Sequence, residues 1–443
     1  GAKITGALER NEVLTSLDVR NNKIGPTGAT AIADALKGSG VLKTLNIGNN
    51  NIGPKGVAAI AEALRGNAVL TNLVLTSNNI GDEGAKALAA ALRVNEVLTD
   101  LRLNNNNIRD EGAKAIAKAL RGNAVLTKLS LCDNHIGGEG AKALASALRV
   151  NAVLIELSLD GDELNELDLP KLRGTDPVTS LNLSEKGLGP ASAIVIASLI
   201  AGNGVMTDLD VGQNELSNEG AKALASALRV NEVPKALYLY DNEIGNEGAK
   251  ALASALEGNG VLTNLSLFGN AIGDEGAAAI GEALRDNGVL DTLNLDYNGI
   301  GDEGAAAIGE ALRVNGRNKL TSLGLAGCRV GPTGAAEIAE YVSGSAVLKV
   351  LNLRDNRISD AGAAAIAKAL RANGVLTVLN LFDNSIGDVG AMVLPSALRV
   401  NGVLTELDLC YNDIEDTGAE ALASALRVNG VLKTLIINYN NLA

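Results

Sequence analysis

Residues 97–124 read VLTDLRLNNNNIRDEGAKAIAKALRGNA, and this 28-residue unit recurs along most of the chain. From Thr99 to Leu103 polar and apolar residues alternate with period two. That pattern predicts a short strand with its leucines turned inward. From Gly112 to Arg121 alanine, isoleucine and leucine recur at helical spacing, which predicts a helix with one apolar face. Asp110 and Glu111 stand at the positive end of that helix dipole and Arg121 at the negative end. Elsewhere proline opens the helix, at Pro26, Pro54, Pro190 and Pro332, where its missing N–H costs nothing. The many alanines allow neighbouring helices to lie close together. One such unit cannot bury its own apolar face, so the core must come from stacking.

Units open at Val13, Val41, Val69, Val97 and Val125, and again at Val205, Val233, Val261, Val289, Val347, Val375, Val403 and Val431. Pro177 and Lys319 open two variant units, the second following a two-residue insert near Arg317 and Asn318. The tenth position is usually Asn, as at Asn22, Asn50, Asn242 and Asn412, and Cys328 takes the slot once. A buried amide there can bond the backbone of adjacent coils. The asparagines and Cys328 are therefore read as structural.

The expected organisation has three parts. Residues 1–152 form N-terminal repeats (a partial helix and five units), 153–176 an irregular repeat, and 177–443 C-terminal repeats, the last one truncated. The irregular unit lacks the Gly-Ala-x-Ala helix and carries Asp162 in the ladder slot; Lys186 follows in the next unit. It reads either as a tolerated junction or as a partner-contacting loop or bend. Ile4–Arg10 matches the end of a repeat helix, and neither terminus carries a Cys-rich or strongly polar cap. Solenoids need their end faces covered. The expectation is a segment of a longer chain, or an assembly in which another subunit covers an end.

Leu98–Ile108 matches L-x-x-L-x-L-x-x-N/C-x-L, and on this motif the chain resembles the leucine-rich repeat family, in particular its ribonuclease-inhibitor-like subfamily. The resemblance implies an α/β fold, a right-handed horseshoe solenoid of about sixteen repeats, with parallel strands on the concave face and helices on the convex face. It also implies a non-enzymatic scaffold or recognition module. Repeat arrays of nucleotide-binding innate sensors and of Ran GTPase-activating proteins look similar. They imply two alternatives: regulation of a small GTPase, or a repeat segment of a larger receptor or assembly.

Composition narrows the partner. The net charge is −13, with 51 acidic and 38 basic side chains. Such a surface repels phosphate backbones and anionic headgroups, which argues against nucleic acid and for a protein partner with a basic surface. No apolar run is long enough for membrane insertion. Cys132, Cys328 and Cys410 are odd in number and far apart, so no disulfide framework is implied and the cytoplasm or another reducing intracellular compartment is favoured. The single histidine is His135. There is no H-E-x-x-H, no phosphate-cradling loop and no C-x-x-C, so neither catalytic residues nor a metal or cofactor site are expected. Acid pairs such as Asp82-Glu83 recur at helix starts by repetition.

The aromatics are the one departure from repetition. Counting from each opening Val, positions 4, 6 and 8 point to the solvent side of the strands, and position 9 lies at its margin. Among only six Tyr, two Phe and no Trp, seven fall on these positions: Tyr238, Tyr240, Phe268, Tyr297, Phe382, Tyr411 and Tyr439. Rings on a solvated strand face read as binding anchors. Tyr238 to Tyr297 form one expected patch, and Phe382, Tyr411 and Tyr439 a second. Acids share the same positions, among them Asp208, Asp210, Asp241, Asp296, Glu406 and Asp408. Bases there are few: Arg20, Arg102, Lys128 and Arg354. These rings and acids are the candidate partner-binding residues.

Overall fold

The computed structural model describes residues 11–161 and 166–442. The expected features at Ile4–Arg10 and Asp162 lie outside the described residues. Within them, three-residue strands alternate with helices of mostly 11–14 residues, the expected stack of α/β coils. No helix among the described residues is long and apolar enough to cross a membrane.

The chain divides into two compact units. The first runs through Val178 and includes Glu185–Val205 and Asn214–Ala227; the second comprises Thr179–Ser184, Met206–Gln213 and the chain from Leu228 onward. The first holds a seven-stranded sheet from Ser16–Asp18 to Leu167–Asp168, the second a ten-stranded sheet from Ser180–Asn182 to Thr434–Ile436. Strands follow one another in chain order and, except for Leu167–Asp168, pair in parallel, each residue opposite its counterpart one unit on, as Leu101 faces Leu129. Leu101, Leu103, Ile108, Ile116 and Leu120 of one coil are all fully buried. Each contributes roughly 1.5–3 kcal/mol on burial, so the repeated aliphatic layer carries the core without aromatics.

Polar ladders close the coils. Asn106 donates through Nδ2 to the carbonyls of Leu75 (2.9 Å), Leu103 (2.9 Å) and Asn104 (3.0 Å), while its Oδ1 accepts from the Asn78 amide (2.9 Å). Cys328 fills the same slot; its sulfur lies 3.2 Å from the Leu295 carbonyl and 3.3 Å from that of Ala326. Burial pushes its thiol up to about 12. A second amide ladder stands at the other end of the helix. Asn123 donates to Leu92 (2.7 Å) and accepts from the Val125 and Leu126 amides (3.1 and 2.8 Å). The helix-start acids do more than face their own dipole. Asp110 accepts from the Gly137 and Gly140 amides (2.9 and 2.7 Å), capping the helix of the next coil. A Cβ at Gly140 would lie 2.8 Å from that carboxylate and 2.9 Å from Ile136, so glycine is required for the close approach.

The irregular unit ends the first sheet. Leu167–Asp168 pairs antiparallel with Glu156–Ser158, and a five-residue helix follows at Leu169–Arg173, capped by the Asp168 side chain on the Lys171 amide (3.1 Å). Arg173 replaces the missing ladder amide, donating to the carbonyls of Leu148 (3.3 Å) and Leu154 (3.0 Å). Asp160 reaches past the short helix to accept from the Ser192 amide (2.7 Å). The helix Pro190–Ile200 is buried on almost every side and packs against Gly138–Leu148. That explains why it is apolar all round.

Candidate functional site

Position 9 of the coil sets the geometry of the strand face. Its amide donates to the position-8 carbonyl of the next coil: Asn49 to Thr76 (2.8 Å), Tyr297 to Ala326 (2.6 Å), Asp383 to Cys410 (3.0 Å). In every coil where it is described with that bond, the residue sits in the left-handed region. Asn49, Ser77, Asp241 and Asp355 have φ of 54°, 55°, 50° and 54°. Gly, Asn and Asp tolerate this backbone; a bulky residue pays about 1–2 kcal/mol for it. Tyr297, Tyr411 and Tyr439 nevertheless adopt it, with φ of 55°, 52° and 56°. Backbone strain of this kind collects at functional sites.

All seven expected rings are exposed or half-buried. Tyr297, Tyr411 and Tyr439 retain 43%, 46% and 66% of their surface, whereas Tyr341 is buried in the helix Pro332–Gly344. There its hydroxyl accepts from Asn318 (2.8 Å) and supports the two-residue insert. Tyr411 stacks on Tyr439 with centroids 4.4 Å apart, and Phe382 tilts against Tyr411 at 4.9 Å. Phe268 meets Tyr297 edge-on at 5.2 Å. Tyr240 donates its hydroxyl to Asp210 (3.3 Å) and lies over Gly212, where a Cβ would collide with the ring. The Tyr238 hydroxyl is 3.5 Å from Asn264 Nδ2.

The two expected patches are not separate. Tyr297 lies across Gly327, where a Cβ would sit 2.7 Å from the ring, and donates its hydroxyl to Asp355 (2.6 Å). The same Asp355 oxygen accepts from Arg354 Nε (3.0 Å), and the Arg354 guanidinium lies 4.0 Å above the Phe382 ring centre. Phe268, Tyr297, Asp355, Arg354, Phe382, Tyr411 and Tyr439 thus form one continuous strip along the second sheet. The Asp355 bond raises the Tyr297 hydroxyl and the Arg354 guanidinium above their ordinary values. Sequence reasoning counts Arg354 and Asp355 among the charged residues of this face but not among its partner-binding residues. The register signals them, since they occupy positions 8 and 9 between the two ring groups.

Among the candidate acids, Asp241 is exposed, and Asp208, Asp210, Glu406 and Asp408 are half-buried. Asp210 is engaged by the Gly212 amide (2.9 Å) and Asp408 by that of Cys410 (2.9 Å). Asp296 is a correction. It is only 8% exposed and accepts from the Ala326 amide (2.6 Å) and Asn352 Nδ2 (3.0 Å). Burial raises its carboxyl above the ordinary value. Its position-8 side chain folds over glycine at Gly324, so it tethers neighbouring strands and offers no free face to a partner. Asp160, at position 8 of the irregular unit, is likewise spent on capping.

The strand face of the first unit differs. It holds a depression of about 640 Å³ lined by Arg20, Asn46, Asn49, Ser77, Arg102 and Asn105, among others. Its position-9 residues bond one another, Asn49 to Asn21 (2.7 Å) and Asn105 to Ser77 (3.2 Å), and Arg20 is held by Asp18 (3.2 Å). This face satisfies itself, while the aromatic strip leaves Tyr297, Tyr411 and Tyr439 exposed.

The leucine-rich repeat family model matches residues 10–33, 41–61, 66–89, 94–117, 122–145, 203–225, 235–253, 259–281, 287–309, 318–339, 344–367, 372–394 and 400–423. No curated protein matches the chain. Similar solved structures include an internalin of Listeria monocytogenes str. 4b F2365, 18% identical, covering 97% of this chain and 88% of its own, with a TM-score of 0.37. Leiomodin-1 actin-binding site 2 is 23% identical over 37% of this chain and 79% of its own, with a TM-score of 0.27. The tropomodulin C-terminal domain of Caenorhabditis elegans is 16% identical over 34% and 91%, with a TM-score of 0.29.

Proposed function

The chain belongs to the leucine-rich repeat family, and from that premise we propose that it is a non-enzymatic recognition module of the ribonuclease-inhibitor-like type. It binds a protein partner on the strand face of its second compact unit. The observation that carries this reading is the placement of Tyr297, Tyr411 and Tyr439, exposed and held in a backbone conformation that other residue types fill at less cost. Desolvating such rings is a major source of interface affinity. Asp241, Asp383, Glu406 and Asp408 on the same face favour a basic partner surface, steering its approach and making it salt-sensitive. A non-catalytic role fits three buried cysteines whose thiols are all raised. Cys132, Cys328 and Cys410 form no disulfide, which suits a reducing intracellular compartment.

The test replaces the three tyrosines by Asn, which already stands at position 9 in Asn21, Asn49 and Asn105. Tyr297→Asn/Tyr411→Asn/Tyr439→Asn should stay folded by circular dichroism, with relief of strain offsetting lost stacking to within about 1–2 kcal/mol. In crosslinking capture from the source cell, the wild-type chain should retain a partner that the variant loses and that high salt weakens. Identical captured sets from both chains would overturn the reading.

A further inference from the structure

The strip itself contains an example of what its rings accept. Arg354 lays its planar guanidinium 4.0 Å from the centre of Phe382, with Asp355 accepting a hydrogen bond from its Nε at 3.0 Å. The column then continues through Tyr411 to Tyr439, ring on ring at 4.9 and 4.4 Å. These spacings match the separation of neighbouring strands, ~4.8 Å. Tyr439 is two-thirds exposed. Carboxylates occupy the same strand-face register as the column. Asp408 and Glu406 precede Tyr411 by three and five residues on the same coil, and exposed Asp383 follows Phe382 directly. The Glu406 side chain makes no ion pair among the described residues.

We propose that the Phe382–Tyr411–Tyr439 column with Glu406, Asp408 and Asp383 recognises arginine side chains of an extended partner segment, repeating the Arg354 stack in trans. This rests on the protein-recognition reading above and names its partner chemistry. Two features favour arginine over lysine. A planar, weakly hydrated guanidinium lies flat on a ring and still presents N–H groups at its edge to a carboxylate. An ammonium is a strongly hydrated point charge that gains from the acids but little from ring faces.

The test titrates the full chain with two blocked hexapeptides, hexa-arginine and hexa-lysine, by calorimetry at low salt. Proton NMR follows the arginine side-chain resonances. Hexa-arginine should bind about tenfold more tightly, and its side-chain protons should move upfield in the ring currents. Tyr411→Asn/Tyr439→Asn should abolish that preference and the upfield shift, leaving hexa-lysine affinity within about twofold. Glu406→Gln/Asp408→Asn should weaken both peptides alike. Equal affinities in the wild-type chain, or an arginine preference that survives the tyrosine variant, would overturn the arginine assignment alone. Failure of both peptides to bind would overturn it together with the acidic-face reading beneath it.

Discussion

At the scale of single residues, each position in the 28-residue unit has one dominant constraint, and exceptions show what the constraint is. Cys328 is the clearest. It donates toward the same two types of carbonyl as a ladder Asn, in a site so dry that its thiol is pushed up to about 12. In the unfolded chain the thiol titrates near 9.0. Between these values the native state keeps a proton that the unfolded chain releases, so the thiol's stabilisation is complete below about pH 9 and fades as pH rises toward 12. Urea unfolding from about pH 8 to 11 should show wild-type stability falling more steeply than that of Cys328→Ala, by up to about 1.4 kcal/mol per pH unit. Parallel slopes would sink the argument. The ladder residues were readable from sequence because a buried amide at a fixed period has few other uses. Asp296 was not, because its burial depends on a glycine in the next coil that register alone does not single out.

At the scale of the element, the helices depend on neighbours that precede them by a full coil. Asp110 caps a helix that starts at Gly138, and Asn246 serves Gly273 and Gly276 in the same way (2.8 and 3.1 Å). Asp110→Ala should therefore cost about 1–2 kcal/mol in urea unfolding, and Asp110→Asn less than half of that, since the amide oxygen can accept the same bonds. Equal losses would mean that charge rather than hydrogen bonding does the capping. Strand and helix identities were legible from period two and period 3.6. The inter-coil destination of the aspartate was not, because a lone helix reading assigns every helix-start acid to its own dipole. The irregular unit shows the same limit. Its sequence marks a break, but that Arg173 and Asp160 bridge it follows only from packing.

At the scale of the whole molecule, every Tyr lies in the second compact unit, and there is no Trp. Tyrosine emission is therefore a reporter for that unit alone, while circular dichroism sees both. In stacked repeats, stability is a sum of local terms and nearest-neighbour terms. Leu101→Ala, in the first unit, should lower the dichroism transition by about 2–5 kcal/mol and leave the tyrosine transition nearly in place. Leu351→Ala, in the second, should move the tyrosine transition. Shifts of both probes together in both variants would make the array one cooperative block. The fold was legible because repetition states the same message many times. The site was legible only in part, because it lies in what breaks repetition. Register places the exposed rings, but the bridge from Tyr297 through Asp355 and Arg354 follows only from side-chain packing.

The left-handed margin of the strand face has a consequence for how such a protein changes its partners. Its backbone is held from both sides by main-chain bonds between coils, so the side chain there owes nothing to the core. Asn, Ser, Asp, Gln, Gly and Tyr all occupy it in this one chain. The margin behaves like a row of movable type: letters can be exchanged singly, by mutation or by design, and a new text set for a new reader without recasting the frame.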